Sequence, residues 1–329
     1  MPLPGTIRRL SAGSILAALL TLTWSLSPAQ ATYAGANGRI AFTANIDPAG
    51  RFDLFTMRPD GTGVKRLTIL PDPGWPFASP DWSPDGSQIL FISPSASLHH
   101  TQVYRINADG TGLTQLTHST AMDNDAATWS PDGSKILVSR AGTREHAIWV
   151  MNSDGTGFKK LTSDLYQNEH PEFTPDGKHI VYASQKGGLV SAIWIMNADG
   201  SNKRRLTPAA LEAAAPDVSP DGSHIVFVKD GDPSKPESIY TMRINGSQIT
   251  RLTRPGCCHH DSLPNYSPDG KQIVFISDRN YPLLNGTDIY EMNADGMNQR
   301  QVTSNLTLGG WPDAPFFDVP QPDWGARAA

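Results

Sequence analysis

The chain is short of charge, of cysteine and of long apolar runs, and each shortage excludes something. Charged residues make up 18%, below the ~25% usual for soluble domains. Helical bundles and coiled coils depend on dense charge and few breakers, so neither fits. Two cysteines among 329 residues rule out a disulfide-framed scaffold. One apolar run, Ile15–Leu22, falls well short of the ~20 residues that span a bilayer. It follows Arg8-Arg9 and precedes Ala29-Gln30-Ala31, the order expected of a cleavable secretory leader. The expected division is a leader over residues 1–31 and one domain over 32–329, exported and without a membrane span. Losing the leader's two Arg moves the formal charge of −5 two units further negative. No long basic run exists, which argues against a nucleic-acid partner. The short run Lys203-Arg204-Arg205 reads as a solvated strand edge. No G-x-S-x-G elbow, glycine-rich phosphate loop or helical metal motif is present.

What the chain has in excess is turn residues, 29 Gly and 27 Pro, and they are periodic. A Ser/Thr-Pro-Asp-Gly turn recurs with its prolines at 84, 131, 175, 220 and 268. Out of phase with it come Asp60-Gly61, Asp109-Gly110, Asp154-Gly155, Asp199-Gly200, Asn245-Gly246 and Asp295-Gly296. Six residues after each glycine begins a Leu/Val-Thr pair, from Leu67-Thr68 to Val302-Thr303. Each unit predicts four strands. The first ends in Trp82, Trp129, Phe173, Val218 or Tyr266. The third carries an aromatic column (Phe55, Tyr104, Trp149, Trp194, Tyr240, Tyr290) and, two residues on, an apolar one (Met57, Ile106, Met151, Met196, Met242, Met292). Equal parity puts both columns on one sheet face, as stacked sheets require. Asp-Gly and Asn-Gly suit hairpins because glycine accepts positive φ without steric cost.

Six four-stranded repeats predict an all-β, six-bladed β-propeller. The ends are complementary. Gly38-Arg39-Ile40-Ala41-Phe42 reads as a second strand without a first, and Pro322-Asp323-Trp324-Gly325 as a first without a second. One blade therefore takes its inner strand from the C-terminal part and three from the N-terminal part, which removes the free edge. The repeat resembles the WD-like repeat of TolB-type propellers over essentially the whole chain after the leader. That resemblance implies a propeller without the N-terminal α/β domain of the periplasmic Tol protein. It implies no single activity.

Propeller geometry sends the Pro-Asp-Gly and Asp-Gly turns to one rim, where their Asp residues read as turn formers. The blade crossings fall on the other rim, where a site is expected. Sheet-to-sheet core fills the rest of each blade, leaving polar variety to that rim. Trp75 and Trp311 flank the closing blade and could stack on a sugar or a partner, or cover their own loops' prolines. In the other crossings, Asp123, Glu212 and His260 align, as do Asn124, Asn168 and Asp261, and then Asp125 and Glu169, with His170 and His259 alongside. Such a ring could bind a cation, a basic peptide or a glycan, form acid–base pairs, or be a hydrated funnel. Cys257 and Cys258 are adjacent, open to a vicinal disulfide, a reduced pair, an intermolecular bond or, with His259 and His260, a copper or zinc site. His99-His100 are read as facing solvent. The expected function is a non-enzymatic binding module for an extracytoplasmic protein or glycan, monomeric, with no cofactor beyond a cation at the mouth. The alternative is a polysaccharide lyase or hydrolase using His170, His259 or His260.

Overall fold

The computed structural model describes residues 35–44, 52–69, 78–95, 100–143, 145–163, 165–186, 190–229, 236–254, 259–280, 286–303, 308–309 and 322–326. Blade 1 joins β1 (Asn37–Ala44), β2 (Asp53–Met57) and β3 (Lys65–Arg66) to β25 (Asp323–Ala326). Blade 2 comprises β4 (Ala78–Trp82), β5 (Gln88–Pro94), β6 (Thr101–Asn107) and β7 (Thr114–Gln115). Blade 3 comprises β8 (Asp123–Trp129), β9 (Lys135–Ala141), β10 (His146–Asn152) and β11 (Lys159–Lys160). Blade 4 comprises β12 (Asn168–Phe173), β13 (His179–Ser184), β14 (Ala192–Asn197) and β15 (Arg204–Arg205). Blade 5 comprises β16 (Ala213–Val218), β17 (His224–Lys229), β18 (Ser238–Arg243) and β19 (Thr250–Arg251). Blade 6 comprises β20 (Asp261–Tyr266), β21 (Gln272–Ser277), β22 (Gly286–Asn293) and β23 (Arg300–Gln301), with β24 (Leu308–Gly309) pairing to β22. All pairings within blades are antiparallel, so this is the six-bladed propeller expected from the repeat.

The repeated residues have distinct jobs. The turn aspartates hold their own turns. Asp132 accepts from Ser130 Oγ at 2.6 Å and Ser134 N–H at 3.0 Å, and Asp154 accepts from Thr156 N–H at 2.9 Å. The threonine of each Leu/Val-Thr pair caps the outer strand. In all six blades its Oγ1 accepts a third-strand N–H, from Leu54, Val103, Ile148, Ile193, Ile239 and Ile289, at 2.9–3.0 Å. The aromatic column lies across from the second strand, as in Phe42 against Phe55 and Phe91 against Tyr104, with ring centroids 5.7 and 5.6 Å apart.

Apolar burial connects the blades. There are six apolar clusters among the described residues, one at each blade interface. Between blades 4 and 5, Val181, Ile193 and Leu206 meet Val218, Phe227 and Met242. Between blades 6 and 1, Val274, Ile276 and Ile289 meet Phe42, Phe55, Met57 and Trp324. A sheet apolar on both faces can bury both only by stacking, and the ring gives every blade two neighbours. Closure is made by β25, with Ile40 opposite Trp324 and Ala41 opposite Asp323.

The inner strands carry a bend. Ser79, His170, Ala215 and Leu263, each three residues before the strand-ending aromatic or valine, have φ between 45° and 52°. The ladder register shifts there, and each is followed by proline. Proline offers no N–H to the ladder, so a bulge tolerates it. Blade 3 has Ala126-Ala127 instead, and its irregularity falls earlier, between Asn124 and Ala126.

Candidate functional site

Immediately before the strand-ending residue, every inner strand places one polar side chain: Asp323, Asp81, Thr128, Glu172, Asp217 and Asn265, one per blade. They form a ring around the channel, and most reach the next blade. Trp82 N–H donates to Asp323 Oδ2, Trp129 N–H to Asp81 Oδ2, and Tyr266 N–H to Asp217 Oδ2, each at 2.7 Å. Thr128 Oγ1 donates to Pro171 O at 2.9 Å, and Trp324 N–H to Asn265 Oδ1 at 3.2 Å. Burial, and then mutual repulsion across the channel, hold the Asp81 and Glu172 carboxyls well above the usual carboxylate range. Burial raises Asp217 to about 8 and Asp323 to about 7. Glu172 feels Asp81, Asp217 and Asp323, so the four acids share one electrostatic space.

This corrects one expectation. Polar variety is not confined to one rim, because the channel wall itself carries this acidic ring. The signal was available in the dipeptides Asp81-Trp82, Thr128-Trp129, Glu172-Phe173, Asp217-Val218, Asn265-Tyr266 and Asp323-Trp324, a column polar in every repeat.

At the crossing rim, Asp125 and Glu169 meet on His146, a residue the sequence reading missed. His146 Nε2 lies 2.7 Å from Asp125 Oδ2, and Nδ1 lies 3.1 Å from Glu169 Oε1. Burial opposes the charge on His146, but the two carboxylates outweigh it and raise the imidazole to about 9. It is therefore an imidazolium at neutral pH, with a carboxylate at each nitrogen. Asp125 and His146 belong to blade 3 and Glu169 to blade 4, so the set bridges two blades. His170 lies beside it. Its Nδ1 is shielded from solvent with no partner among the described residues, and burial lowers its pKa, leaving it neutral. His146 starts the third strand, where the repeat shows no fixed chemistry, so only the fold reveals it.

The other predicted residues are engaged locally. Asp123 accepts Thr101 N–H at 2.8 Å and lies 3.1 Å from His100 Nδ1. His100 is thus paired rather than simply facing solvent, because the crossing brings β8 against the start of β6. His99 lies outside the described residues. Glu212 ends a short 3-10 turn (Ala209–Leu211) with φ 53°. His260 N–H donates to Asp278 Oδ1 at 2.5 Å, and its Nδ1 lies 3.2 Å from Asp278 Oδ2, which raises its pKa. Asp261, 0% exposed, accepts from Arg279 Nη2 at 2.8 Å, and His259 stands beside it, partly exposed. The aligned candidates therefore divide into local pairs and one convergent set. Trp75, Trp311, Cys257 and Cys258 lie outside the described residues. Among the described residues, no group of three or more His, Cys, Asp or Glu is arranged to hold a metal ion.

The turn rim, where the aspartates read as turn formers, carries a cleft of about 580 Å³ between blades 5 and 6. Ser219, His224, Thr241, Tyr266 and Asp269 line it, and Gly35 lies over it, its N–H donating to Pro268 O at 3.2 Å.

The sequence matches the family described as TolB beta propeller domain over residues 32–213 and 209–309. The chain belongs to the TolB β-propeller family. The family resemblance read from the repeat is therefore correct. Among solved structures, TolB from Acinetobacter baumannii is 23% identical with a TM-score of 0.72, over 90% of this chain and 68% of that one. A protein assigned as TolB from Agrobacterium tumefaciens is 23% identical with a TM-score of 0.62, over 88% of this chain and 99% of that one. An oligogalacturonate lyase in complex with manganese is 18% identical with a TM-score of 0.50, over 74% of this chain and 71% of that one. No curated protein matches the sequence. Within the TolB-propeller frame, the acidic ring and the His146 bridge are features of this chain's own residues.

Proposed function

We propose that this chain is an exported, non-enzymatic binding module that holds a protein segment at the crossing-rim mouth of its channel, by the junction of blades 3 and 4. The observation that carries the reading is the Asp125–His146–Glu169 bridge. Both imidazole nitrogens are occupied, so His146 cannot accept a proton at neutral pH, and the set is built to hold shape and charge. Leu165, 83% exposed, and Tyr166, partly exposed, precede Glu169 in the same crossing and supply apolar contact. Below them the ring acids favour a cationic side chain entering the channel. The leader over residues 1–31 and the domain over 32–329 fit export. A glycan remains an alternative occupant of the same mouth.

The test is retention of an envelope protein by the immobilised chain. Leu165→Asp, at a side chain 83% exposed, should release it without shifting the melting temperature. Metal-independent turnover of any member of a polysaccharide panel would overturn the proposal. In that event His170, the neutral imidazole with a shielded nitrogen, is the base to replace first, ahead of His259 and His260.

A further inference from the structure

Charge is distributed unevenly around the ring. The three outer strands and connecting turns of blades 3 and 4 are residues 135–162 and 179–207. They hold nine Lys and Arg against three Asp and Glu. The equivalent stretches of blades 2 and 6, residues 88–117 and 272–303, hold three against five. The chain as a whole is net negative, so blades 3 and 4 form a basic sector on an acidic protein.

Edge protection does not account for it. Lysine on an outer strand blocks sheet-to-sheet pairing, but every blade exposes an outer strand, and β7 of blade 2 is Thr114-Gln115. The corresponding strands of blades 3 and 4 are Lys159-Lys160 and Arg204-Arg205. Several of these cations lack an anion. Arg204 and Arg205 are exposed and make no ion pair among the described residues. Arg140 is partly buried with its Nε unpartnered, and desolvation lowers its pKa. A guanidinium taken partly out of water without a carboxylate is unfavourable, and a bound anion would offset that cost.

Aromatic surface lies beside the cations. Arg140 sits over Trp149 and Phe158, 5.5 and 4.9 Å from their centroids, and Lys160 sits over Trp149 at 5.7 Å. On blade 4, Trp194 pairs with Arg205 across the ladder. The two outer edges are adjacent, since Lys159 Nζ donates to Asp199 O across the blade boundary at 3.3 Å. Phe158, 36% exposed, lies just before β11, and Arg140 covers it. Nothing there stands proud to enter a bilayer as an interfacial anchor does. Indole faces beside guanidinium and ammonium groups suit a sugar ring that carries a carboxylate.

We propose that the outer surface of blades 3 and 4 binds an anionic polysaccharide, separately from the channel mouth. The probe is polygalacturonate, titrated against the full chain by calorimetry. Binding should weaken steeply between about 50 and about 300 mM salt, as polyanion binding by clustered cations does. Neutral dextran should not bind. Lys203→Gln/Arg204→Gln/Arg205→Gln should weaken binding about tenfold or more, since several ionic contacts are lost together. Should that variant shift the melting temperature, Arg205→Gln alone and the salt slope carry the test. Glu169→Gln, at the mouth, should leave polymer binding unchanged, so failure here is distinct from failure of the protein-binding proposal. The proposal is overturned if a stably folded triple variant binds polygalacturonate as the parent does. It is equally overturned if the parent ignores polygalacturonate at low salt, or if phosphatidylglycerol vesicles or duplex DNA bind in its place.

Discussion

Asp217 and Asp323 lie almost out of solvent and carry pKa values of about 8 and about 7. The folded state binds their protons more tightly than the unfolded state does. Their contribution to stability is therefore complete below about pH 4, the unfolded carboxylate range. It is lost as pH rises through 7 to 8. The protein should melt at a higher temperature at pH 5 than at pH 8, and Asp217→Asn should flatten that dependence and stabilise the pH 8 form. Asparagine keeps an oxygen to accept the Tyr266 N–H while removing the charge that the ring repels. A parent melting temperature that is flat across this window refutes the assignment. His146 acts in the same direction over a later interval. Its contribution is present below about 6.5 and fades as pH rises through about 9. His146→Gln should abolish that later loss and loosen the junction of blades 3 and 4, read as faster amide exchange at Asn168 and Glu169. Neither group was legible as a partner in the sequence. A residue's neighbour across a channel or a blade boundary is fixed by ring closure, and no spacing along the chain encodes it. Asp125 and Glu169 were found because they align, whereas His146 aligns with nothing.

The blade was the most legible element. Its turns demand Gly at positive φ, as at Gly155 and Gly200, and its sheet faces demand period-two apolar columns. Both are local requirements that sequence displays directly. The threonine column was visible as a mark, but its purpose was not. It supplies the acceptor that ends each two-residue outer strand. Thr207→Val keeps the shape and removes the acceptor for Ile193 N–H. Leaving that buried N–H unpaired should cost about 1–3 kcal/mol, measured by denaturant unfolding. An unchanged midpoint would mean that water reaches the site. The inner-strand bulges were hidden because their positive-φ residues, such as Leu263 and Ala215, are not turn formers. Only the recurring proline after them marked the place.

At the scale of the molecule, closure depends on Gly325. A Cβ there would lie 2.4 Å from Trp82 Cγ, and on Gly38 it would lie 2.6 Å from Ala326 O. Gly325→Val should therefore separate β25 from blade 2 and cost about 3 kcal/mol or more, as severe overpacking does, with blades 1 and 2 becoming the first to be cut by limited proteolysis. Retention of the parent's unfolding midpoint and cleavage pattern would show that β25 is not what locks the ring. The count of blades and the manner of closure followed from repeats and complementary ends. The channel's charge did not, because it comes from bringing distant repeats around one axis.

The shared first blade also imposes a schedule. A chain made from its N-terminus lays down β1 before the other described strands and β25 after them, so the inner edge of β1, with Ile40 and Phe42, stays without its partner strand until Asp323–Ala326 has been made. Every incomplete product carries that open, apolar edge, the kind of surface on which unfinished chains associate. The ring cannot mature blade by blade into a finished object. Its stability arrives in one late, long-range event, and a molecule without Asp323–Ala326 would lack a working first blade as well.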